Sequence, residues 1–150
     1  MTDDEYLPKL PISWDEGREV VVVVLLAGAV LRLLGPLAGF LDRRWGVFAD
    51  DIAELTRNAS PTTGLMVLGA GVLIATTPRA GVVPILRRLT VIVAGVVLAE
   101  GVVGVLIELT RVSGAGVFGR LETVFARFAP ALLFTGAGGW LAARVVPFDD

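Results

Sequence analysis

The chain contains no cysteine and no histidine. Disulfides, thiolate nucleophiles, the common zinc sites, histidine-ligated haem and histidine general-base catalysis are therefore excluded. Lysine is nearly absent too. Lys9 is the only one among 13 basic residues, and against 15 acidic residues the net charge is −2. No overall basic field exists to draw nucleic acid. Charged residues make up only 19% of the chain, against about 25% in an ordinary soluble domain. No Lys-containing phosphate loop is present, and no serine sits in a nucleophile elbow. Asp50 and Asp51 are adjacent carboxylates, but nothing beside them positions a substrate. With nucleophile, metal ligands and general base all missing, no enzyme, metal or cofactor is expected.

Apolar residues fill the space left by the missing polar ones. They account for 55% of 150 residues, and mean hydropathy is +0.77. A domain this small buries only part of its surface, so so much apolar area points to lipid rather than water as the solvent. The apolar residues also come in long runs. Val20 to Leu41 holds a single charge, Arg32. About 20 helical residues cross a hydrocarbon core of roughly 30 Å. The valine-rich start of this run would read as a strand in water. In lipid a lone strand leaves its backbone unsatisfied, so helix is expected.

Four spans are expected, at about 20–41, 62–77, 84–109 and 123–146. Pro78 and Pro84 punctuate the turn between the second and third, and Pro84 suits a first helical position. Residues 1–19 read as a polar, acidic tail without the basic start and cleavage site of a secretory signal. Between the first two spans, Trp45, Phe48, Ile52 and Leu55 recur at spacings of three and four. That pattern predicts an amphipathic helix at about 43–58 lying in the membrane interface.

The two halves resemble one another at an offset of about 69 residues. Arg18 falls on Arg87, Gly35 on Gly104, Pro61 on Pro130 and Pro78 on Pro147. With one residue inserted, Gly46–Val47–Phe48 falls on Gly116–Val117–Phe118. The expected fold is thus all-α, a four-helix membrane bundle made of two tandem αα units. Because each unit has an even number of spans, a pseudo-two-fold axis along the membrane normal would relate them.

Two ionisable residues fall mid-span, Arg32 in the first and Glu100 in the third, at similar depth. A charge at the bilayer centre costs roughly 2.5–3.5 kcal/mol on the insertion scale, so both are expected to face inward as an ion pair. The pair would either fix which helix faces which, or leave Glu100 to relay protons or cations. Small residues at four-residue spacing mark candidate packing faces: Gly35 and Gly39, Gly71 and Ala75, Gly95 and Ala99, and the strip Ala131, Thr135, Gly139 and Ala143. Four spans in this length are similar in outline to the small multidrug exporters and the fluoride channels, but the pattern of neither is present. The exporters carry an acidic residue in the first span, where this chain has Arg32.

The reading from sequence is a multi-pass protein of the cell membrane. Both termini are expected on one side. The cluster Arg79, Arg87 and Arg88 favours the cytoplasm for them. Its expected partners are the lipid bilayer and either further copies of itself or other membrane proteins, with no nucleic acid. Two roles remain open: a structural or accessory component, or a small oligomeric ion- or proton-coupled transporter or channel using Glu100.

Overall fold

The computed structural model describes residues 14–42, 59–76, 83–110 and 116–144, and all the regular structure in these segments is helical. Four helices follow in order: α1 (Trp14–Asp42), α2 (Pro61–Ala75), α3 (Val83–Thr110) and α4 (Gly116–Arg144). The expected interfacial helix at 43–58 lies outside the described residues. So do the surroundings of Gly35 and Gly39 within α1.

Local chemistry sets the helix ends. Ser60 sits in extended backbone before Pro61 and caps α2, its Oγ accepting a hydrogen bond from the Thr63 N–H at 3.3 Å. Such a cap satisfies one of the donors that a helix start leaves open, and Pro61 has no N–H to waste there. At the far end Thr76 turns back, its hydroxyl donating to Val72 O at 3.0 Å. Within α4, residues Val124–Phe128 form a wider π turn, with the Ala129 N–H bonded to Val124 O. Pro130 explains it: with no N–H and a ring that crowds the carbonyl four residues back, it prevents a regular α turn there.

Two helices begin earlier than the apolar runs predict. α1 starts at Trp14, taking in the charged segment Asp15–Glu19, and α4 starts at Gly116, inside the glycine-rich connector. Hydropathy finds where a helix is oily, not where its backbone begins. Gly116, at φ +66°, is the kind of residue that opens the turn into α4 without strain.

The packing follows from close approaches. A Cβ on Gly28 would lie 3.4 Å from Met66 Sδ, and one on Gly69 would lie 3.2 Å from a Leu25 methyl, so α1 and α2 run antiparallel. Gly101 faces Leu132 and Gly139 faces Ala94, so α3 and α4 do the same. Gly64 abuts Ala131 and Gly71 abuts Gly138, so α2 and α4 lie side by side in one direction. The α2–α4 seam is the most extensive contact, and α3 touches the other three helices.

The helices α3 (from Pro84) and α4 are each long and apolar enough to cross a membrane, while α2 is a shorter apolar helix of 15 residues.

Candidate functional site

Three features of the bundle carry chemistry: its small-residue seam, its interior oxygens and the arginines at one end. In the seam, Gly71 and Gly138 bring two backbones into direct contact. A Cβ on Gly138 would come within 2.7 Å of the Leu68 backbone, and one on Gly64 would come within 2.8 Å of Ala131 O. Only glycine permits that approach. The buried surface of α4 is Phe128, Ala131, Thr135, Gly138 and Ala142. The four-spaced strip expected from sequence agrees at its first two members and then departs. Ala143 is exposed, and Gly139 turns toward Ala94 of α3. Gly95 and Ala99 are likewise exposed, and a Cβ on Gly95 would meet nothing. That pair therefore lies on the outer surface rather than in a packing face. Gly71 is buried in the seam, with Ala75 partly buried beyond it.

Among the described residues no ion pair joins Arg32 to Glu100. Arg32 is exposed, and Oε2 of Glu100 is buried without a hydrogen-bond partner. The two do lie at a similar level. Gly28 beside Met66 puts Arg32 next to the first turn of α2, and Ala59, just before that turn, lies beside Gly101. Depth was thus legible from sequence, whereas direction around the helix was not. Thr135 Oγ1 is a second buried oxygen without a partner. The other buried threonine of the long helices, Thr90, donates to Leu86 O at 2.8 Å within its own helix.

The arginines at one end do something the sequence reading missed. Arg18, near the start of α1, donates to Thr76 O at the end of α2 at 3.1 Å. Arg87, near the start of α3, donates to Ala142 O at 2.8 Å and Ala143 O at 2.7 Å at the end of α4. The last carbonyls of a helix lack internal partners and carry the negative end of its dipole, so a guanidinium there is favourable on both counts. The signal was present in the matching of Arg18 with Arg87 across the halves. Arg87→Ala is expected to lower stability by about 1.5–3 kcal/mol, the usual worth of hydrogen bonds to a charged group. Arg18→Ala, which removes one bond at a more exposed site, should cost less. Thermal unfolding of the two variants in one detergent checks that order.

Among the described residues no three Asp or Glu side chains gather as a metal site. An open groove of about 320 Å³ between α1 and α3 is lined by Val20, Val23, Val24 and Leu86, with Glu16 and Glu19 at its rim. No known family matches the chain, and neither a curated protein nor a solved structure is similar to it.

Proposed function

We propose that this chain is a four-span integral membrane protein acting as a structural or accessory component of the bilayer. One observation carries the reading: most of its large apolar side chains lie outside, while small ones line much of the interior. Val67, Val97, Ala29, Ala70 and Ala142 are almost completely covered, and the larger side chains buried with them are Leu26, Ile74, Leu86 and Phe128. Most of the large residues are outside, with Leu133 71% exposed, Leu31 69% and Ile85 63%. Water would penalise each such side chain by about 1.5–3 kcal/mol. Lipid does not, and helices in lipid associate through small residues that let backbones meet.

The tandem αα arrangement belongs to the same reading. It is supported by the two arginine caps, which stand 69 residues apart and close equivalent hairpins, and by the like registers of α1 on α2 and α3 on α4. A pseudo-two-fold axis between α2 and α4 would relate the halves. The test is fractionation of cells expressing the chain. The protein should sediment with membranes, resist extraction at alkaline pH and dissolve in detergent. Recovery in the detergent-free supernatant would overturn the reading.

A second reading, ion- or proton-coupled transport, is favoured by the buried Glu100 oxygen that has no partner. Liposomes separate the two. Flux lost in Glu100→Gln supports transport, and inert liposomes with co-purifying membrane proteins support the accessory role.

A further inference from the structure

Among the described residues, the two ends of the bundle differ in how their cations are used. At one end, the Arg87 bonds to Ala142 and Ala143 tie the start of α3 to the end of α4. The next residue along each helix is again arginine, Arg88 and Arg144, and both side chains are exposed. Neither makes a hydrogen bond or ion pair among the described residues. Arg144 lies over the ring of Trp140, 4.3 Å from its centre, and that indole is itself half exposed. No acidic residue occurs on this half of either helix, since Glu100 and Glu108 of α3 and Glu122 of α4 all lie toward the other end. At that other end Arg120 is committed to the carbonyls of Leu109 and Gly116. The Arg87 end therefore presents two exposed guanidiniums without hydrogen bonds, Arg88 on α3 and Arg144 on α4, the second lying on a tryptophan, while its carboxylates, Glu16 and Glu19, belong to the groove beside α1.

We propose that this end of α3 and α4, through Arg88 and Arg144, holds the phosphate headgroup of an anionic phospholipid. A guanidinium offers planar, paired donors that match phosphate oxygens. An indole rests well at headgroup depth, where one edge is wet and its faces meet acyl chains. The groove between α1 and α3 is unsuited to the same ligand, because Glu16 and Glu19 would repel it. The proposal rests on the membrane reading above and adds a partner to it.

The test uses the full chain in nanodiscs of phosphatidylcholine containing a minor share of phosphatidylglycerol. The phospholipids that stay bound after release into detergent are counted by native mass spectrometry. A basic residue near an anionic surface is worth about fivefold in binding. Wild type should retain phosphatidylglycerol well over phosphatidylcholine. Each of Arg88→Gln and Arg144→Gln should lower that preference about fivefold, and the double variant should lose most of it. Arg32→Gln removes the same charge elsewhere and should leave retention unchanged. Circular dichroism of each variant confirms that the helices persist. Equal retention of the two lipids, or a double variant that behaves as wild type, overturns the proposal. Displacement of the lipid by millimolar inorganic phosphate also overturns it, since the site would then read a free anion. Sedimentation separates the two kinds of failure. Chain in the supernatant overturns the membrane reading and the lipid site together, whereas chain in membranes without lipid preference overturns the site alone.

Discussion

Replacing Gly138 with leucine is expected to take the bundle apart, while replacing Gly95 with alanine is expected to strengthen it. Both glycines lie in long apolar helices, and spacing in the sequence marks Gly95, not Gly138, as a packing residue. The structure does. A side chain at Gly138 must enter the backbone of α2 at Val67 and Leu68, where no rotamer can move aside. Overpacking against movable side chains costs about 1–3 kcal/mol and occasionally more, and rigid backbone puts Gly138→Leu at or beyond the top of that range. Loss of the α2–α4 seam removes the most extensive contact in the molecule. At Gly95 a methyl group meets nothing within 4 Å. The gain there is helix propensity, about 0.5–1 kcal/mol. Thermal unfolding in detergent, with size-exclusion profiles before and after heating, reads both effects. A Gly138→Leu protein as stable as wild type would show that α2 and α4 do not meet there.

The second large effect concerns the two charges. Arg32→Leu and Glu100→Leu are each expected to improve membrane insertion or stability. The exposed Arg32 faces the surroundings of the bundle, where a mid-span arginine costs roughly 2.5–3.5 kcal/mol on the insertion scale. The gain for Arg32 is correspondingly large, less whatever its long side chain recovers by snorkelling. Glu100 leaves one oxygen buried and unbonded, and removing such a group returns about 1–3 kcal/mol. The sign of the result is decisive. Were the two residues paired in the membrane, each single replacement would strand the other charge and cost about 3–5 kcal/mol. Insertion efficiency by glycosylation mapping, together with resistance to unfolding by a denaturing detergent, distinguishes gain from loss.

These two cases show how far the sequence reaches. The runs expected at 62–77 and 84–109 lie close to α2 (Pro61–Ala75) and α3 (Val83–Thr110), because a helix end needs only a local signal such as Pro84. The starts of α1 and α4 are missed, since polar Asp15–Glu19 and the glycine-rich segment at Gly116 resemble connectors. Face is harder than extent. A strict four-residue step drifts by about 40° each time against a helix of 3.6 residues per turn. The strip chosen from Ala131 and Thr135 therefore slides off the seam to Gly139 and Ala143, while the true face continues through Gly138 and Ala142. The same limit applies to Arg32 and Glu100. Counting along each span recovers a shared depth, but only packing decides which way each points. Gly64, Gly101 and Gly138 went unmarked because, in a chain with 18 glycines, spacing alone cannot say which of them touches a neighbour. The arginine caps were half visible. Arg18 and Arg87 align across the halves, but their acceptors are carbonyls that no residue type advertises.

We expect lipid to surround the large side chains on the outside of the bundle. Because the chain has no cysteine, single cysteines can be introduced cleanly at Ile92 and Leu133, both well exposed, and spin-labelled in liposomes. Electron paramagnetic resonance then compares collision of each label with oxygen, which concentrates in the hydrocarbon core, and with a water-soluble nickel chelate. High access to oxygen with almost none to nickel at both positions is the predicted result. Labels that meet the nickel chelate freely would place those faces in water and contradict the account.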